Sequence, residues 1–347
     1  MSGTGGGTTS GTGGGTTSGT GGGTTSGTGG GATSGTGGGT TSGTGGGTGG
    51  SAVYDIPNGT LLFSESFEDT SFNARGWYDG AAAPTLSTDV PTGGGTRSYE
   101  ARFAMGATNA PTPARHQFTG SERVFIRMWL KFSPNWVGSG VAYHPHMFHL
   151  TTNKDGMYIG PANSHMTTYL EVVGLRPMLA LQDARNVDTA CILRNNDTFV
   201  GCNGNFSTYV FTENRSVAAC NGLRGDVDGR DCFDNGGGNW YSARYWRTPS
   251  DWFSNTAGPR YKADWHRFEA YYQMNTIQNG VGQTDGKLRL WIDGEKVLSY
   301  DRILFRTNEN ADMVFNQFLM LPYIGPGSPV AQSYFVDELR VATGLIP

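Results

Sequence analysis

The sequence predicts an all-β protein, an antiparallel sandwich of the jelly-roll type behind a disordered Gly/Thr/Ser arm. Three observations predict it. Short segments alternate apolar and polar residues with a period of two; hardly any segment keeps a helical period over three turns; and Gly, Pro and Asn interrupt the chain at short intervals.

The arm comes first. The phrase SGTGGGTT recurs, with small variations, from Ser2, Ser10, Ser18, Ser26, Ser34 and Ser42, and it stops before Tyr54 and Ile56 open an aromatic-rich sequence. It has no large apolar side chain to repay the ordering of its glycines, so residues 1–51 are expected to be a flexible tether; about fifty Gly-rich residues span roughly 40 Å root-mean-square. It resembles the stretch after the lipid-bearing cysteine of a mature bacterial lipoprotein, which implies an extracellular or cell-surface location and a lipid anchor upstream of the tether. An interdomain linker is the rival reading. No run of apolar residues is long enough to cross a membrane.

Residues 52–347 are the length of one large β domain. Its first segment, Leu61–Glu68, and its last, Tyr334–Val341, both read as strands, as expected if the two ends of a sandwich meet. Along Val124–Phe132, the residues Ile126, Met128, Leu130 and Phe132 face one way while Arg127, Trp129 and Lys131 face the other. A second row, Phe268, Ala270, Tyr272 and Met274, opposes Arg267, Glu269, Tyr271, Gln273 and Asn275. In a third, Leu288, Leu290 and Ile292 oppose Lys287, Arg289, Trp291 and Asp293, and Asp293-Gly294 is the turn of a hairpin into Lys296-Val297-Leu298.

Between these rows, residues 185–262 read as a loop-rich insertion that holds all four cysteines, Cys191, Cys202, Cys220 and Cys232. Two disulfides pinning a long loop are expected, in an oxidising compartment, with three pairings open. Beside them Asp226, Asp228 and Asp231 alternate around Gly229 in a way that suggests a weak calcium site, with a solvated turn as the rival. Downstream, Trp240, Tyr241, Tyr245, Trp246, Trp252 and Phe253 crowd a segment otherwise rich in small polar residues and arginine. Such planes stack on the C–H faces of sugars, so Trp246 and Trp252 are candidate substrate contacts; anchoring the insertion onto the sandwich is the alternative. The net charge is −4, from 25 Lys and Arg against 29 Asp and Glu, with no recurring basic cluster, which argues against a nucleic-acid partner.

The pieces Asp264–Glu269, Met274-Asn275-Thr276, Asp285–Gly294 and Phe335–Leu339 together resemble the concanavalin A-like jelly rolls, and within them the polysaccharide-lyase-like branch. The likeness covers most of Leu61–Thr343. It implies two curved sheets with a polysaccharide or glycan bound across the concave one. The Glu-x-Asp-x-x-Glu strand of jelly-roll glucanases, which places two carboxylates for retaining hydrolysis, is absent from the sequence. Arg127 and the run His144-Pro145-His146-Met147-Phe148-His149 are loose counterparts of the Arg-x-Glu-Leu-Arg and Gln-Ile-His strands of alginate lyases.

Elimination in a uronate polymer needs a base for the proton next to the carboxylate, an acid for the leaving oxygen and a donor that neutralises the carboxylate. The sequence-based expectation is Arg127 or Gln273 as neutraliser, His146 or His149 as base and Tyr271 as acid. Trp129, Lys131, Asn275, Arg289 and Trp291 are expected to line the substrate face. Each has a plainer rival: Arg127 pairing with Glu269 across neighbouring strands, Tyr271 packing, and the three histidines holding a metal. His146 and His149 are three positions apart, an odd spacing, so on one straight strand they cannot share a face. No organic cofactor is expected. A noncatalytic carbohydrate-binding or adhesive module and a structural surface protein are the alternative functions.

Overall fold

In the computed structural model, residues 54–81, 83–141, 144–155, 166–183, 230–234, 240–283, 285–303, 305–306 and 310–347 are described. The strands in chain order begin with β1 (Leu61–Glu65), β2 (Trp77–Tyr78), β3 (Leu86–Ser87), β4 (Ser98–Phe103), β5 (Ala114–Ser121) and β6 (Arg123–Phe132). β7 (His146–Thr152), β8 (Thr167–Val173), β9 (Arg176–Asp183), β10 (Arg230–Asp234), β11 (Trp240–Arg247) and β12 (His266–Gln273) follow. The last six are β13 (Ile277–Gln278), β14 (Val281–Gly282), β15 (Gly286–Ile292), β16 (Glu295–Ile303), β17 (Phe315–Met320) and β18 (Gln332–Ala342).

Sixteen of these strands form two antiparallel sheets of eight. The first runs β16-β15-β12-β6-β18-β4-β3, with β1 also paired to β18; the second runs β10-β11-β9-β8-β7-β17-β5-β2. The chain crosses between them repeatedly, β4 and β6 lying in the first sheet and β5 and β7 in the second. The strand-like ends do meet: Leu61 pairs with Ala342 and Glu65 with Leu339.

Alternation placed the core correctly. Ile126, Met128, Leu130 and Phe132 of β6, Phe268, Ala270 and Tyr272 of β12, and Leu288, Leu290 and Ile292 of β15 all lie in the main apolar cluster. From the second sheet Phe148, Leu150, Leu170, Val172, Leu179, Leu181, Phe318 and Met320 join them. At the hairpin between β15 and β16, Asp293 (φ 52°) and Gly294 (φ 83°) both take left-handed conformations, the requirement of the tight turn whose twist suits a hairpin.

The segment read as a loop-rich insertion also contributes strands. β10 and β11 lie within it and extend the second sheet by pairing with each other and with β9. Cys191, Cys202 and Cys220, with Asp226 and Asp228, fall outside the described residues, as do residues 1–51; Cys232 and Asp231 are described only as positions on β10. Among the described residues, no helix is long and apolar enough to cross a membrane.

Candidate functional site

Each sheet has one side toward the core and one away from it, and the expected catalytic residues are divided between the two outward sides. On the first sheet the outward side chains of β6, β12 and β15 build a second, smaller apolar layer. Phe125, Tyr271, Trp291 and Ala342 are buried with Ile346, and Tyr54, Ile56 and Leu345 pack against them. Tyr54 and Trp291 rings lie 5.1 Å apart. The segments 54–56 and 345–347 therefore cover this face.

Several of its polar residues hold that cover, and the others are engaged elsewhere. Arg127 Nε donates to Glu269 Oε1 at 2.7 Å, and Arg127 Nη1 donates to the carbonyl of Pro347. The Tyr54 hydroxyl donates to Glu269 Oε2 at 2.5 Å, and burial together with that carboxylate pushes its pKa up to about 12. Arg289, almost fully buried, is held by Asp55 and Asp301. Tyr271 is buried and donates to Gln273 Oε1 at 2.9 Å. Asn275 is buried too, accepting from the backbone N–H groups of Phe305 and Arg306. Lys131 pairs with Asp89 at 2.6 Å, and Trp129 is half-buried.

These placements correct the sequence-based set. Arg127, Tyr271, Arg289 and Trp291 hold or underlie the chain's ends, Gln273 accepts from Tyr271, and Asn275 fixes the backbone of Phe305 and Arg306; Arg127 and Tyr271 do not come together with His146 and His149, which lie on the opposite sheet. Alternation separates the two sides of a strand but says nothing of what covers the side away from the core. Trp246 (0% exposed) and Trp252 (5% exposed) are core residues. Trp252 also donates to Glu295 Oε2 and meets His266 edge to face. Both are anchors for the insertion.

The second sheet presents a different outward side. Along β8, sequence TTYLEVV, Leu170 and Val172 face the core, so Thr167, Tyr169 and Glu171 face away. On β7 a bulge decides the geometry: His146 and Met147 together oppose the single residue Glu171 before Phe148 resumes the register opposite Leu170. The extra residue reverses parity. His146 and His149 consequently share a face, against the straight-strand expectation, and His149 Nε2 lies 3.1 Å from His146 Nδ1.

A chain of titratable groups results. Glu171 Oε1 is 2.7 Å from His146 Nε2, and His146 Nδ1 meets His149 Nε2. The ring of Tyr169 packs 4.5 Å from His146 and 5.5 Å from His149. His144, whose backbone is left-handed (φ 59°), brings its ring 4.5 Å from His146, and the exposed Tyr323 meets His144 edge to face. Desolvation, helped by the neighbouring His146, pulls His144 down to about 3. Burial, with His146, Arg115 and His144 adding to it, holds His149 well below the ordinary imidazole value. Both are neutral near pH 7.

Cross-strand register places a cation in the same row. Arg115 of β5 lies opposite Leu319, Leu319 opposite His149, and His149 opposite Tyr169. Arg115 and His149 are two strands apart, roughly 10 Å between backbones. Arg115 Nε donates to Asp79 at 2.9 Å, and Gln317 Oε1 accepts from Arg115 and from Thr151. Arg115, His149, Tyr169 and Glu171 are each at most 6% exposed, while His144, His146 and Tyr323 form the more open end of the cluster.

Arg115, Tyr169, Glu171, Gln317 and Tyr323 were missed by sequence reasoning. The alternation of Tyr169 and Glu171 with Leu170 and Val172 was the signal that could have found two of them.

No protein-family model and no curated protein matches the chain. Among solved structures, an alginate lyase from a Chlorella virus is 12% identical, with a TM-score of 0.44 over 75% of this chain and 89% of that one. The marine PL-14 alginate lyase of Aplysia kurodai is also 12% identical, with a TM-score of 0.43 over 83% of this chain and 100% of its own. A botulinum neurotoxin serotype D/C binding domain is 6% identical, with a TM-score of 0.37 over 76% of this chain and 43% of that chain. At such identities, side-chain chemistry is read from this chain alone.

Proposed function

We propose that this protein binds a polysaccharide across the outward side of the second sheet and cleaves a uronic-acid polymer there by β-elimination. One observation carries the reading: the chain Glu171–His146–His149, beside Tyr169 and in register with Arg115, on the side of the sheet away from the core. The motifs that resemble the lyase-like jelly rolls suggest the polymer, and these side chains suit the reaction.

The roles follow from atoms. With Glu171 accepting from His146 Nε2–H, His146 Nδ1 accepts from His149 Nε2–H, which leaves the lone pair on His149 Nδ1. That nitrogen is buried and makes no hydrogen bond among the described residues. His149 would take the proton next to the substrate carboxylate, and the electrons would form the new C=C bond as the glycosidic C–O bond breaks. Tyr169 would give its phenolic proton to the leaving oxygen. Arg115, with Gln317 beside it, would meet the carboxylate and stabilise the enolate-like charge. His146 and Glu171 would be positioning residues that fix the tautomer of the base. In this reading residues 1–51 tether the domain at the cell surface.

The test is a screen of uronate polymers that follows the ultraviolet absorbance of the unsaturated product, with His149→Ala, Tyr169→Phe and Arg115→Ala assayed separately. Loss of turnover of at least about 100-fold in the His149 and Tyr169 variants is expected, the range of general acid–base catalysis. Full activity in both would sink the assignment. Binding of a polymer without any turnover would favour the noncatalytic module, a reading that the exposed ring of Tyr323 at the rim also suits.

A further inference from the structure

We propose that His144 Nδ1, His146 Nε2 and Glu171 Oε1 form a binding site for a divalent transition metal of the zinc class, at the open end of the cluster. The three ligand atoms lie within 4.8 Å of one another. His146 Nε2 is 2.7 Å and His144 Nδ1 is 3.8 Å from Glu171 Oε1. Ligands of a tetrahedral ion with bonds of about 2.0 Å sit roughly 3.3 Å apart, so small side-chain rotations bring all three into range. Two imidazoles and one carboxylate are a donor set such an ion takes, with a fourth position left for water or an oxygen ligand.

A second observation points the same way. Glu171 is 1% exposed, and its Oε2 makes no hydrogen bond among the described residues. A buried carboxylate is costly unless a cation or a full set of donors meets it. The outer shell is present as well: His146 Nδ1 faces His149 Nε2 at 3.1 Å, the second-nitrogen contact that fixes a ligating histidine's ring.

Metal on His146 Nε2 would also reverse the tautomer chain. His146 Nδ1–H would then donate to His149 Nε2, and the remaining proton of His149 would sit on Nδ1, where it blocks the base. Zinc should therefore inhibit elimination. That consequence rests on the function proposed above; the binding does not.

The experiment is calorimetric titration of the chelator-treated full chain with zinc chloride, repeated for Glu171→Gln and His144→Ala, with melting curves to confirm that each variant is folded. One bound ion is expected in the unaltered chain, with a rise in melting temperature. Either variant should weaken binding by at least about 100-fold, the upper end of what loss of an outer-shell partner alone produces. No binding, or binding that both variants retain, would overturn the site. A cobalt spectrum of the unaltered chain gives an independent readout. Ligand-field bands without thiolate charge transfer support these three ligands, whereas thiolate bands assign the metal to the cysteines and overturn the proposal.

Discussion

Asp337 offers a direct test of how the sandwich handles a buried charge. It lies on β18 just before the irregularity between Asp337 and Arg340, where Glu338 takes a left-handed φ of 49°. The side chain is 0% exposed; Oδ1 accepts from the N–H of Glu338 at 2.8 Å, and Oδ2 makes no hydrogen bond among the described residues. Gly94 packs so closely that a Cβ there would stand 2.9 Å from Oδ2. Desolvation, with Glu338 and Glu68 nearby, raises its pKa from 3.8 to about 7. The folded protein therefore keeps this proton between pH 3.8 and about 7 while the unfolded chain releases it. The sign follows: the stabilisation is full below the lower value and is lost as pH rises through the upper one.

At 1.36 kcal/mol per pKa unit the whole effect is about 4 kcal/mol, and about 2 to 4 kcal/mol after allowance for solvent screening. Asp337→Asn keeps an oxygen for the Glu338 N–H and cannot ionise. Urea unfolding should find the variant more stable than the parent by about 2 to 4 kcal/mol near pH 8, and close to it near pH 4. Equal pH slopes for the two proteins would refute the burial argument.

Three further outcomes follow from the same structure. Arg127→Ala should destabilise by about 2 kcal/mol, the worth of a hydrogen bond to a buried carboxylate, because Glu269 keeps Tyr54 and Arg267 as partners; polymer turnover per folded molecule should not change, as urea unfolding and the assay together would show. Trp246→Ala should cost about 3 to 5 kcal/mol by the same unfolding measurement, since it empties a fully buried site between the sheets. Imidazole nitrogen shifts in NMR should show His144 and His149 neutral at pH 6 to 8, as their depressed pKa values require.

Much of the fold could be read from the residues, because a half-buried strand must alternate. Ile126, Met128, Leu130 and Phe132 had one possible side, and the Asp293-Gly294 turn had one preferred geometry. The site was harder to read. The polar row Arg127, Tyr271, Gln273 looked like a lining because nothing local to those strands reveals that Tyr54, Ile56, Leu345 and Ile346, far away in sequence, lie on top of it. The histidines were singled out, but their relation was misjudged, since a one-residue bulge at Met147 has no signature in residue type. Arg115, His149 and Tyr169 come from three different strands, and only cross-strand register makes them a row.

By itself, the sequence determined the sandwich, its inward faces and the strand character of its two ends, because period-two patterning is a local property that burial of one face enforces. The tertiary structure decided which outward face is a scaffold and which gathers Glu171, His146 and His149. That choice depends on what packs over each sheet and on strand register, both set by contacts between residues distant in the chain.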